Sequence, residues 1–599
     1  MNILFPQILF LTCLVSYSAY CQVFPRNFMC YQENVVPFEN YSESEGVRRI
    51  QAHLLLDDVK SALEESETLV AQYPESEKIH SAWIQSLSTA GMEQKALQQW
   101  NLLSQRNVEF LNDRHLLEEL SWGVLKKGLH STQYGVRFAS LIGAYLTNDV
   151  RAVSILIKMM RDSNAVIRSV AVQMASSYQD ASLKDEIIRL MREEKVWMVR
   201  LEVIKAIGNL RIKELSSKLQ QIVRSNQTNF EERHLSIEAL LSMYEKISLV
   251  ELQSLVKSNR AGLRHFACSI ATHFEMKEGR DDILALLNDS HPDVKIAALN
   301  ALGLFYRMHI TDSEAKEKLT PLLNGSHAGV AITASWAAFL IDAQFATPHL
   351  NRWITDSLPE NRRLAAAALS ATGKKGVKLS RKILKESNDP YVKANVALGL
   401  LGQRSDITRS SDALYAFLEN ETRMWMWDTR FNPLFQVLAP NQVRHVDHIP
   451  NYPKAMDQMT RLSLVSLLAI VEDPRAIQAL KTFLKKSSWG ITGVAAATLL
   501  QEGGDNALEI VRELLSDTDP DVRLQACLVL AMLGRDESVL VDLQQAYSNA
   551  NHEQKLHILE ALGRIGNSTC FQFLIGVFQE PFPILRIAAA AALIQSLNR

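Results

Sequence analysis

The chain has 599 residues, 47% hydrophobic and 22% charged, with 64 Lys plus Arg against 66 Asp plus Glu for a net charge of −2. These ordinary globular values exclude a mainly disordered chain and a polytopic membrane protein, and the balanced charge excludes the basic footprint of a nucleic-acid binder. The six cysteines, Cys13, Cys21, Cys30, Cys268, Cys527 and Cys570, are too sparse for a disulfide scaffold and contain no C-x-x-C metal or redox pair.

The first predicted element is a secretory signal over 1–21. Ile8 to Val15 reads ILFLTCLV, small residues follow, and Ala19 and Cys21 stand at the −3 and −1 positions for cleavage before Gln22. The leading segment has no Lys or Arg, so only the terminal amine supplies positive charge. Export is therefore expected, to a periplasm, an envelope or the medium. The bulky Tyr20 argues against lipidation at Cys21. No other apolar run approaches the roughly 18 residues a spanning helix needs, so the mature chain is expected to lack a transmembrane segment. Residues 22–41 carry Pro25, Pro37 and aromatics without periodicity, and predict an extended arm.

Residues 42–108 follow a 34-residue beat, set by Ala62 and Ala96. Trp83, Leu87, Gly91, Ala96 and Trp100 have a spacing that resembles tetratricopeptide repeats. The resemblance implies two degenerate copies. Asp57 stands where the pattern has Gly, Ser66 where it has a large residue, and the second copy lacks the terminal Pro. Residues 109–134 are expected to form an adaptor helix pair. The alternative is an irregular helical cap over 42–134.

From residue 135 a second beat of about 31 residues takes over. Asp519-Pro520-Asp521-Val522-Arg523 is followed by an Ala/Leu-rich stretch, as are Pro292-Asp293-Val294-Lys295 and Pro390-Tyr391-Val392-Lys393. An Asp or Asn caps free backbone N–H groups, and Pro at the first helical position needs no donor. Aligned on the basic position, the anchors are Arg137, Arg168, Arg200, Arg233, Arg264, Lys295, Ala331, Arg362, Lys393, Arg461, Thr492, Arg523, Lys555 and Arg586. Their spacings are 31 to 36 residues, apart from one of 68 that spans a degenerate copy near Trp427. Each period holds a small-residue helix and a more amphipathic one, in which Leu508, Val511, Leu514 and Leu515 share a face. One such pair cannot bury both faces, so neighbours must stack.

These segments resemble HEAT repeats, especially the short bacterial form of phycobilin-lyase-related proteins. Asp519 through Gly534 is the best match, and the resemblance covers 135–599 apart from the interruption described next. The overall layout resembles exported HEAT proteins of chlamydia-like bacteria. The resemblance implies an all-α fold, an α–α superhelical solenoid. About fifteen layers at roughly 8–10 Å give an arc of about 120–150 Å. It also implies that the anchors Arg137, Arg168, Arg200, Arg264, Lys295, Lys393, Arg523 and Arg586 form an internal ladder, each pairing with an acidic or carbonyl group of an adjacent repeat. The competing reading is a basic stripe that faces a ligand.

Residues 423–456 break the rhythm between the arrays 135–422 and 457–599. Four of the 17 prolines fall there, which predicts a long irregular segment. Loops on a rigid scaffold favour binding, and Trp425, Trp427, Phe431, His445 and His448 are the candidate partner contacts. The alternative is that the aromatics fold down and fill a wedge. His445, Asp447 and His448 lack a further ligand for a metal site.

The motif search finds no H-E-x-x-H, no P-loop and no G-x-S-x-G elbow, so no catalytic, cofactor or metal residue is assigned. The single His552-Glu553 pair does not meet the repeated pairs of di-iron HEAT hydroxylases. The expected function is a non-enzymatic, exported protein–protein interaction scaffold. It would bind a protein or peptide along the solenoid, with no nucleic acid and no cofactor. The alternative is an enzyme or enzyme accessory handling a small cofactor or metal, as in lyase-related HEAT proteins. A shared fold does not transfer that activity.

Overall fold

The computed structural model describes residues 41–225, 227–243, 247–428 and 432–440, positions scattered through 457–475, then 511–534 and 536–598. The expected signal, the arm up to residue 40, Phe431, His445, His448 and the repeat at Thr492 lie outside the described residues. The chain divides into two compact units, one of residues 1–243 with 484–599, the other of residues 244–483. The fold is all-α and of the helical solenoid class. Among the described residues the only strands are a short pair at 425–428 and 437–440.

Local chemistry sets the helix boundaries. Asp389 accepts from the N–H groups of Tyr391 and Val392, Asp113 from that of Leu116, and Asn164 from that of Val166. Pro292, Pro359, Pro390 and Pro583 open their helices, at a position whose N–H would bond nothing inside the helix. Beyond the first helix of a repeat the chain turns through a left-handed residue eleven positions after the anchor. Asn148, Arg211, Glu275 and Arg404 hold φ between 48° and 53° there, and Gly373 and Gly566 supply the same turn with glycine.

The first helices of successive repeats pack closely because they carry small residues. A Cβ on Gly208 of Trp197–Asn209 would lie 2.8 Å from Ala239 Cα of Phe230–Met243. A Cβ on Gly563 of His552–Ile565 would lie equally close to Ala592 Cα of Pro583–Leu597. Ala328–Ile341 is buried on nearly every side, from Gly329 to Leu340.

In the first unit, helices Tyr41–Leu55, Val59–Gln72, Glu77–Thr89 and Glu93–Arg106 pack in sequence. Ser66 is fully buried there, its hydroxyl 3.0 Å from that of Ser86. The adaptor stretch is a 3-10 turn, Val108–Leu111, followed by one α-helix, Arg114–Gly128. Helix Pro583–Leu597 packs on His552–Ile565, the first helix of the preceding repeat, and also on Arg114–Gly128 and Tyr134–Leu146. Gln595 Nε2 donates to Leu146 O at 2.6 Å, Arg586 pairs with Glu93 at 3.3 Å, and Ile587 meets Gly128 and Gly143. Within the first unit these helices, far apart in sequence, touch directly.

The second unit stacks helices from Leu249–Val256 to Ile407–Asn420. Strands β1 (Trp425–Asp428) and β2 (Val437–Pro440) form an antiparallel ribbon with Trp425 opposite Pro440 and Asp428 opposite Val437. β2 lies on Pro359–Ser370 and Pro390–Gly402.

Candidate interaction surfaces

The anchor arginines form a relay. Arg137 Nε donates to Asp162 at 2.7 Å and its Nη2 at 3.1 Å, while Nη1 reaches back to Ser131 O at 2.9 Å. Arg168 pairs with Glu194 at 2.8 and 3.0 Å and donates to Asp162 O at 2.9 Å. Arg200 then takes Glu232 at 2.6 Å and Glu194 O at 3.2 Å. Each guanidinium thus ties its own preceding turn to the carboxylate of the next turn. Arg264 with Asp289 and Ser258 O repeats the arrangement. Arg523 bonds only carbonyls among the described residues, those of Asp517 at 2.7 Å and Thr518 at 3.0 Å. Arg586 donates to Glu580 O at 2.7 Å. Lys295 and Lys393 occupy the same register, half-buried, with no ion pair to a described residue.

The Arg264 guanidinium beside Asp289 holds that carboxyl below its ordinary range, against the opposing effect of burial. At Asp162 burial is the larger single influence and raises the pKa, but hydrogen bonds from Arg137 and the Asn164 N–H together overcome it. Two-pronged guanidinium–carboxylate pairs fix geometry as well as charge. In this setting they hold register more than they add net stability.

The ribbon is held by buried amides. Asn395, 1% exposed, accepts from Leu438 N–H at 2.8 Å and donates to Leu438 O at 3.0 Å. Asn432 exchanges bonds of 3.1 and 2.9 Å with Asn300 and donates to Thr333 Oγ1 at 3.2 Å. Phe435 stands edge-on to Trp336, and Trp425 edge-on to Phe417. Trp425 has no exposed surface; its backbone N–H donates to Asp457 at 2.9 Å, and the Arg461 guanidinium lies 4.9 Å from its ring centroid. Trp425 therefore packs and cannot itself contact a partner. Trp427 is half-buried and lines a cleft. The holding amides Asn300, Asn395 and Asn432 form no motif in sequence. Their one signal is a polar residue within an apolar helix stretch, as in Val392-Lys-Ala-Asn395-Val-Ala.

That cleft, about 710 Å³, is bounded by the ribbon residues Trp427, Leu434 and Phe435 and by Leu398, Ile407 and Ile470 of the second unit. Ile407, Leu434 and Leu467 are each 38% exposed and Ile470 49%. Among the described residues no three His, Cys, Asp or Glu side chains are grouped to hold a metal, and no helix is long and apolar enough to cross a membrane.

The HEAT repeats family matches residues 250–338 and 508–594. No curated protein matches the sequence. Among solved structures, Kap121p bound to Pho4p is 12% identical, covering 92% of this chain and 82% of that one at a TM-score of 0.32. The Kap95:Nup1 complex is 12% identical, covering 90% and 87% at 0.34. UNC-45 from Drosophila melanogaster is 11% identical, covering 93% and 94% at 0.23. At such scores these likenesses carry no argument about partners. The segments 250–338 and 508–594 are HEAT repeats, set within a helical solenoid fold.

Proposed function

We propose that the protein is a non-enzymatic, exported interaction scaffold that docks a protein or peptide partner, and no nucleic acid, at the cleft beside the ribbon. One observation carries the reading. Four large apolar side chains, Ile407, Leu434, Leu467 and Ile470, each more than a third exposed, converge on one cleft. Exposed apolar surface gathered in one place marks interaction sites, whereas single exposed hydrophobes are commonplace. The cleft has a rigid back wall of repeat helices and a front wall of hydrogen-bonded ribbon, so little ordering entropy is lost on binding.

The test is affinity capture from the native source with the wild-type chain and an Ile470→Asp/Leu434→Asp variant. Both residues are already partly in water, so the variant should fold. Partners recovered by the wild type and lost with the variant support the cleft; an identical set from both removes it. Export rests on the 1–21 segment, and N-terminal sequencing of the mature protein should begin at Gln22. Cytosolic protein retaining Met1 contradicts it.

A further inference from the structure

Five anchors of the ladder meet a carboxylate at a nearly constant spacing. Arg137, Arg264 and Lys555 meet carboxylates 25 residues on, Arg168 one 26 residues on and Arg362 one 27 residues on. Counting from Lys393, those positions are Leu418, Glu419 and Asn420. Glu419 makes no ion pair with Lys393, and Asn420 occupies the place that Asp389 holds one repeat earlier. Asn420 Nδ2 donates to Ala416 O at 2.8 Å. The following carboxylate, Glu421, is taken by Arg423 through two bonds of 2.8 Å. Lys393, like Lys295, therefore meets no carboxylate among the described residues.

Lys393 opens into a groove of about 680 Å³ that also presents Arg381, Lys385 and Arg409. Of the two carboxylates in its wall, Glu421 is neutralised by Arg423 and Asp412 by Arg475 at 2.7 Å. Lys385, like Lys393, has no ion pair to a described residue, Arg381 bonds the neutral Ser405 hydroxyl at 2.8 Å, and Arg409 has only a 3.7 Å contact to Asp406. The groove is thus an excess of positive charge over an apolar floor of Leu384, Ala413 and Phe417.

We infer that this groove docks an acidic segment of a partner protein, whose Asp or Glu side chain supplies in trans the carboxylate that Lys393 does not meet among the described residues. The ladder shows what this position accepts, since a carboxylate fills it wherever the rung is complete. The floor adds a place for an apolar side chain between acidic ones, which a small inorganic anion would leave empty. No residue of the groove lines the cleft of the proposed function, so each proposal fails or stands alone.

The experiment uses the full chain and fluorescence anisotropy with a labelled peptide of alternating Glu and Leu, its Gln-for-Glu counterpart, and inorganic phosphate as competitor. The Glu peptide should bind with an affinity that falls as salt rises. Its Gln counterpart should bind about tenfold more weakly or less, as should the Glu peptide to Lys393→Gln or Lys385→Gln. Asn420→Asp restores the acid within the chain, so it should weaken peptide binding while raising the melting temperature, a combination that damage to the fold would not give. Equal binding of both peptides, binding unchanged by Lys393→Gln and Asn420→Asp, or displacement by phosphate at concentrations equal to the peptide would each overturn the inference.

Discussion

Glu560 and the ladder carboxylates respond to pH with opposite signs. Burial raises the Glu560 pKa to about 7 from its ordinary 4.5, with the Arg564 charge offsetting only part of the effect, and its Oε1 is enclosed without a hydrogen-bond partner. Between pH 4.5 and 7 the folded chain holds a proton there that the unfolded chain has released, so stability falls as pH rises through that window. Asp162 and Asp289 are held low, so their contribution is present above the ordinary carboxylate pKa and is lost as pH falls through their folded values. Glu560→Gln should therefore raise the melting temperature at pH 8 and give little or no gain at pH 4.5. Thermal unfolding at the two pH values checks this, and an equal shift at both would contradict the assignment. The acid limb of the wild type should persist in the variant, because it belongs to the ladder.

At the scale of elements, the ribbon rests on one amide that serves both sides of a backbone. Asn395→Leu removes a donor and an acceptor at once and leaves the Leu438 N–H and C=O buried without partners. A loss of about 2–6 kcal/mol follows, since each unsatisfied buried group costs roughly 1–3 kcal/mol. Denaturant unfolding should read that loss, and hydrogen exchange should show the Leu438 amide opening ahead of the helices around it. Unchanged protection at Leu438 would mean the ribbon is held elsewhere. The contrast between helices and ribbon explains what was legible in sequence. The 31-residue beat, the Asp and Pro starts and the anchor arginines are local signals, decided within a few residues of themselves. The left-handed turn eleven residues after the anchor was half legible: Gly373 and Gly566 declare it, while Asn148, Arg211, Glu275 and Arg404 adopt it without a glycine. In the ribbon, proline and aromatic content told of a break in the helices. Which tryptophan points inward depends on strand register and on Asn395, 43 residues from its partner. Trp425 and Trp427 look alike in sequence because their difference is made by the helices beneath them.

For the whole molecule, the contact least visible in sequence joins the two ends of the first unit. Repeat arrays draw their stability from nearest neighbours, so a change in the last repeat ordinarily leaves the first ones untouched. Here Ile587, 3% exposed, sits against Gly128 and Gly143 of helices more than 400 residues earlier in the chain. Gln595 bonds Leu146 O across a separation of 449 residues. No periodicity could have announced such a pairing, since it depends on where the stacked layers bring the last helix and not on any residue near it. The consequence is thermodynamic coupling between distant segments. Ile587→Ala should cost about 2–5 kcal/mol as a buried large-to-small change, and the loss should appear in two places. Hydrogen exchange should quicken in 552–597, as for any repeat, and also in 114–146, which a linear array would leave protected. A second change in the early helices should then be less than additive with the first, because both weaken one seam. If 114–146 kept its full protection in the Ile587→Ala chain, the ends would be lying side by side without sharing stability, and the C-terminal helix would be only the cap of the last repeat.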